Sequence, residues 1–290
     1  MTALPHAQVL PRGGGHDHIV DVLIVERAPK LSATPLWPIL RPLLYRMLDY
    51  AKARRMADAI APMPGPQALA HISQLLRLET ATTGLERIPR KGRLIVVCNH
   101  PTGIADGIAV YDALKAIRPD LCFYANSDAH RVSPRLTEVL IPVEWVEAKR
   151  TRERTRLTLQ LTKEALEAER CLVIFPSGRL ARRGADGRLS DPPWAPTAIS
   201  LARRHETSIA PIHVAGPWSG LFHLFDRFSP ELRDITLFHE LLNKEGGAFR
   251  LTAGPAIPPE ALFGEAAEVV ERLKGYVERA LPQHPGQAFA

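Results

Sequence analysis

Five consecutive apolar residues, Leu94-Ile95-Val96-Val97-Cys98, empty directly into Asn99-His100-Pro101-Thr102-Gly103-Ile104-Ala105-Asp106-Gly107, and this junction constrains the fold more than any other stretch. A short run of this kind bounded by Pro and Gly reads as a buried strand ending in a turn. In one continuous helix His100 and Asp106 would lie about 9 Å apart along the axis and about 120° around it, and in one extended strand about 20 Å apart. Neither lets them touch. Pro101 fixes φ and Gly103 tolerates φ > 0, so a strand–turn–helix path brings Asp106 back to His100. A carboxylate bonded to Nδ1–H would set the imidazole tautomer and leave Nε2 to accept a proton. The bland alternative is that Asp106 only serves the free N–H groups of a helix N-terminus.

The 290 residues suffice for one large domain with its own core, and 46% hydrophobic with 23% charged residues is ordinary globular composition. Cys98, Cys122 and Cys171 sit in or beside apolar runs without paired spacing, which suits buried thiols and argues against disulfides or a zinc site. No metal is expected. No apolar run reaches the roughly 18 residues of a membrane span, and the N-terminus lacks a signal-peptide pattern. The chain is therefore expected to be made and kept in the cytoplasm. A net charge of +6 favours anionic partners. In the absence of nucleic-acid motifs, we expect an anionic membrane surface and no nucleic acid.

Residues 1–35 read as a loosely held arm in which His16 and His18 belong to a solvated tail. Pro35 to Ile60 carries Leu36, Trp37, Leu40, Leu43, Leu44, Met47 and Leu48 at helical spacing among Arg41, Arg46, Lys52, Arg54 and Arg55. That is a basic amphipathic helix, expected to break near Pro38 and Pro42, that either lies in a bilayer interface or packs on its own domain. The division expected is an N-terminal arm and membrane-facing helical segment over 1–62 and a main domain over 63–290. From there strand-like segments (76–82, 94–98, 121–125, 140–146, 171–175, 209–214, 249–253) alternate with helical ones (104–117, 152–168, 197–204, 258–281). This predicts an α/β fold with a mixed, largely parallel sheet flanked by helices.

A second strand-to-turn junction, Cys171-Leu172-Val173-Ile174-Phe175-Pro176-Ser177-Gly178-Arg179, offers backbone N–H groups, a hydroxyl and a guanidinium, the parts of an anion site. Taken in order, the two junctions resemble the lysophospholipid and glycerolphosphate acyltransferase superfamily. Asn99, His100 and Asp106 match its first block. Lys149 or Arg150 suits the basic residue of its second block. Phe175, Pro176, Gly178 and Arg179 match its third, and Pro211 in Ile209-Ala210-Pro211-Ile212 its fourth. The resemblance spans roughly residues 75–260. It departs from the family in two places: five residues instead of four separate His100 from Asp106, and Ser177 stands where Glu is usual, with no Thr before Arg179. The wording NHPTGIADG and Glu240-Leu241-Leu242-Asn243-Lys244 look like a bacterial branch tied to hemolysin-like proteins and ornithine-lipid acylation.

The resemblance implies transfer of an acyl group from acyl-CoA or acyl carrier protein to the hydroxyl of a lyso-lipid of the lysophosphatidic acid or lyso-ornithine-lipid type, with no cofactor. His100 would be the base and Asp106 its orienter. Lys149 or Arg150 and Arg179 would hold anionic groups, and amides near Gly103 or Gly178 would serve the oxyanion. Two competitors stand beside this reading. One is a lipid esterase or thioesterase using Ser177 or Cys98, although Phe-Pro-Ser-Gly-Arg is not a nucleophile elbow. The other is a non-catalytic lipid-binding protein of the same fold.

Overall fold

The computed structural model describes residues 17–144, 150–184 and 189–290. In chain order it runs α1 (Ile19–Arg27), α2 (Pro29–Ser32), α3 (Trp37–Met47), α4 (Tyr50–Ile60), α5 (Gly65–Leu76), β1 (Glu79–Thr83), β2 (Leu94–Cys98), α6 (Ile104–Leu114), β3 (Leu121–Asn126), α7 (Asp128–Val132), β4 (Leu140–Val143) and α8 (Arg152–Glu167). It continues through β5 (Cys171–Ile174), β6 (Arg182–Arg183), β7 (Leu189–Ser190), α9 (Thr197–Arg204), β8 (Ile209–Ala215), α10 (Gly220–Phe228), α11 (Pro230–Asp234), α12 (Leu237–Leu242), β9 (Ala248–Ala253) and α13 (Ala266–Gly275).

Seven strands form one sheet in the order β1-β9-β8-β2-β5-β3-β4. Every pairing is parallel except β8 with β9, so the expected mixed, largely parallel α/β sheet is present. Its middle strand is buried on both faces, as continuous apolar runs in parallel sheets are. Leu94, Val96 and Cys98 enter the core with α5 and α6, while Ile95 and Val97 enter the opposite one with α9 and α13. Pro211 is tolerated inside β8 because the β8–β9 ladder begins only at Ile212 opposite Ala253, and its carbonyl still accepts from the Gly254 amide at 2.9 Å.

The topology puts a switch point, where open α/β sheets form a ligand crevice, beside β2. The chain leaves β2 through α6 on one face of the sheet and leaves the adjacent β5 toward α9 on the other. Loops that diverge in this way mark the usual ligand position in open α/β sheets, at the carboxyl ends of the strands.

Several local expectations change. The segment from residue 19 is no loose arm: α1 buries Val20, Leu23 and Ile24 in the same core as α6. His18 caps it, its Nδ1 accepting from the Val20 amide and its Nε2 meeting Asp58. Prolines do not break α3 either. Pro38 lies in its first turn, where no donor is needed, and Pro42 forfeits one internal bond. The break falls at Asp49, whose φ of 52° starts α4 in a new direction. At the C-terminus, the expected helix over 258–281 is interrupted by Gly264 at φ +98° and begins as α13 at Ala266. The segment 65–76, not read as a helix from sequence, is α5, with Pro66 in its first turn.

At the opposite end of the sheet from the crevice, Arg118 is fully buried. Its guanidinium pairs with Asp120 and donates to the carbonyls of Pro89, Gly92 and Glu169, tying together the turns that enter β2, β3 and β5. Arg118→Ala strands three carbonyls and a carboxylate, so it should cost about 3–5 kcal/mol in urea unfolding; a loss below about 1 kcal/mol would show that the turns hold without it.

Candidate active site

The β2 strand delivers His100 through Asn99. The Asn99 amide mimics one more backbone pairing with β8, donating to the Val214 carbonyl at 2.9 Å and accepting the Val214 N–H at 2.7 Å. The next residue is thereby fixed at the crevice. His100 Nδ1 meets Asp106 Oδ2 at 2.8 Å, and its ring lies against Phe175 with centroids 4.5 Å apart.

Asp106 is fully buried and does two things at once. At the third position of α6 it accepts from the Gly103 amide at 3.1 Å, capping the helix, and it also accepts from the Thr102 amide at 2.9 Å and hydroxyl at 2.6 Å. A carboxylate surrounded by these donors accepts from His100 as well, so Nδ1 carries the proton and Nε2 presents its lone pair. Gly103 makes the turn possible. Its φ of +100° and ψ of −150° are open to glycine alone, and a Cβ there would stand 3.2 Å from Leu180.

Asp191 was not foreseen. It is buried, accepts the His100 backbone N–H with both oxygens at 3.1 Å and accepts the Trp194 indole N–H at 2.8 Å. Its own amide donates to Glu278, and the Ala181 amide donates to the His100 carbonyl. The histidine backbone is thus held from both sides by the segment after β5. Burial pushes the Asp191 carboxyl up to about 6, partly offset by the Trp194 hydrogen bond and by His100.

The remaining residues named from sequence separate into groups. Phe175 packs on His100, while Pro176 and Gly178 shape the turn: the Pro176 carbonyl accepts from Ala195 and the Phe175 carbonyl from Gly178. The Gly103 and Gly178 amides are therefore engaged by Asp106 and Phe175, and neither points to an oxyanion position. Ser177 turns its hydroxyl onto the Arg179 carbonyl at 2.8 Å, and Cys98 is fully buried, with its thiol pushed well above the usual range by that burial. Neither is set up as a nucleophile. Arg179 is exposed at the crevice rim. Arg150 donates its Nε–H to the carbonyl of Glu144, which follows the edge strand β4. Lys149 lies outside the described residues. Pro211 is a strand residue opposite Val97. Among the described residues no cluster of three or more His, Cys, Asp or Glu is arranged to hold a metal.

A family model described as Acyltransferase matches residues 79–215, the segment that builds this crevice. That segment is thus similar to the Acyltransferase family, which its relatives' names share. Among the relatives of this O-acyltransferase, a lyso-glycine lipid O-acyltransferase of Phocaeicola vulgatus is 24% identical over 204 residues, covering 67% of this chain and 70% of that protein. A protein of the same description from Bacteroides thetaiotaomicron is 22% identical over 200 residues, covering 67% and 71%. The crystal structure of the 1-acyl-sn-glycerophosphate acyltransferase PlsC from Thermotoga maritima aligns with a TM-score of 0.48 at 14% identity, over 93% of this chain and 98% of that one.

The raised carboxyl of Asp191 gives the acyltransferase a signature in its stability. Unfolded, an aspartate loses its proton near pH 3.9, whereas the native protein keeps it to about pH 6. Between these values the folded form binds more protons, so stability falls as pH rises through the window, by about 3 kcal/mol in total. Asp191→Asn removes this slope. Urea unfolding from pH 4 to 6.5 should show the variant gaining on the parent as pH rises, and parallel curves would mean that Asp191 titrates as if exposed.

Proposed function

We propose that this acyltransferase moves a fatty acyl group from a thioester donor, acyl-CoA or acyl carrier protein, to the free hydroxyl of a membrane lyso-lipid. The carrying observation is the His100–Asp106 pair at the crevice, with Nε2 uncommitted among the described residues. As the acceptor oxygen attacks the thioester carbonyl carbon, Nε2 takes its proton, and the imidazolium is stabilised by Asp106. When the C–S bond breaks, the imidazolium returns that proton to the departing thiolate. The acceptor is itself the nucleophile, so no acyl-enzyme forms, in keeping with the placement of Ser177 and Cys98.

For the acceptor we favour a lyso-lipid with an amino-acid head group over lysophosphatidic acid. Ser177 in place of the usual acid is a departure in the loop beside His100, and two relatives are described as lyso-glycine lipid O-acyltransferases. Arg179, exposed at the rim, is available to the head-group carboxylate.

The acceptor lies in a bilayer, and α3 carries an outward apolar row suited to it. Leu36, Ile39, Leu43 and Met47 are exposed, Ile39 at 73%, with Arg41 and Arg46 beside them, while Trp37 and Leu44 pack inward. Among the described residues no helix is long and apolar enough to cross a membrane. Binding would therefore be peripheral, on the cytoplasmic side where thioester donors are made, with α3 in the interface.

Thiol release from acyl-CoA or acyl carrier protein in the presence of lyso-lipid tests the chemistry. His100→Ala and Asp106→Ala should each lower kcat by about 10³-fold or more, while Ser177→Ala and Cys98→Ala retain at least a tenth of it. An acyl-enzyme trapped on Ser177, with turnover abolished in Ser177→Ala, would overturn the mechanism. Lysophosphatidic acid preferred over lyso-glycine and lyso-ornithine lipids would overturn the choice of acceptor.

A further inference from the structure

We propose that the outer face of α10, with Trp218 at its foot, is a second bilayer contact, seated on anionic lipid beside the crevice; this rests on the membrane reading of α3 and extends it. The helix carries one broad apolar stripe that its own domain covers only in part. Phe222 is buried, and Leu221 and Phe225 pack against the core around α6. At the uncovered edge of the same stripe Leu224 is 49% and Phe228 76% exposed, one turn apart on a shared ridge. Arg227 is the one charged residue among the exposed positions of this helix, and Trp218, two residues before it starts, is 48% exposed. A helix at a water surface carries its polar residues there.

Charge decides which partner this face suits. The Arg183 guanidinium lies 4.7 Å over the Trp218 ring and is exposed, as are Arg227 and Arg179. The carboxylate of the helix, Asp226, is already paired with Arg182 and Arg233. Phenylalanine and leucine ringed by arginines and a tryptophan match the boundary between acyl chains and anionic head groups, where arginines reach phosphate or carboxylate while the rings remain in the apolar layer.

Both ends of α10 are anchored to parts that need the membrane. Beyond Ser229 comes α11, whose Glu231 carboxylate accepts the Lys30 and Leu31 amides at the start of α2. That helix leads within five residues into α3. Near the other end the Arg182 guanidinium of β6 lies over the Phe222 ring, and it also pairs with Asp226 further along the helix. Because β6 continues the Phe175–Arg179 turn, seating α10 on lipid brings the rim of the crevice to the surface from which the acceptor comes.

Vesicles of phosphatidylglycerol and phosphatidylethanolamine, with and without brominated acyl chains, provide the test. Trp218 emission, isolated as the difference between parent and Trp218→Phe, should be quenched by the brominated vesicles. Leu224→Ser/Phe228→Ser should weaken vesicle binding at least tenfold with an unchanged thermal midpoint, and vesicles lacking phosphatidylglycerol should bind less well. An Ile39→Ser/Leu43→Ser variant, measured alongside, reports on α3 alone: binding lost there and intact in the α10 variant sinks this proposal and leaves the α3 reading standing, and the reverse does the opposite. Unquenched Trp218 overturns it. So does a dimer in sedimentation that the α10 variant dissolves, since the face would then belong to a second copy of the chain.

Discussion

The Asp106 carboxylate is the hub on which the crevice depends. It caps α6, ties down the Thr102–Gly103 turn and orients His100 from a fully buried position. Reading Asp106 as a helix-capping residue and reading it as the partner of a catalytic base are therefore not rival interpretations. The hydrogen bonds that end the turn are those that hold the carboxylate where the imidazole meets it. Moving the carboxylate would release the helix end, and reshaping the turn would move the carboxylate, so stability and preorganisation share one group.

The sheet supplies what that hub cannot. Because β2 and β5 are adjacent and their exits diverge, the His100 turn and the Phe175–Arg179 turn face each other without an intervening helix. Asn99 pins the strand end to β8, and Asp191 grips the amide of His100 from the segment after β5. The imidazole is thus fixed through its ring by Asp106 and Phe175 and through its backbone by Asp191. Three separate parts of the chain must fold before the base is in place.

Much of this was legible in the residues, and the failures have physical reasons. Leu94–Cys98 and Thr197–Arg204 stand out because their apolar content and bounding turns are unambiguous, and Pro101 and Gly103 allow the turn that brings Asp106 to His100. Asp191 was invisible because its contact with His100 spans 91 positions and carries no local pattern. Within α3 the prolines misled, since one sits where a helix start needs no donor and the other is carried by packing of Trp37 and Leu44. The α5 pattern of Ala68, Leu69, Ile72 and Leu76 was present in the sequence and obscured by the apolar run leading into β1.

The central claim is that His100 rests with its proton on Nδ1, held by Asp106, and with Nε2 bare toward the crevice. Nitrogen NMR of the protein labelled with ¹⁵N-histidine, with the His100 signals assigned by loss in His100→Gln, reads this directly at neutral pH. The account predicts a protonated Nδ1 bonded to the carboxylate and an unprotonated Nε2. A resting enzyme with the proton on Nε2 would contradict it, because that nitrogen would have nothing with which to take a proton from an alcohol.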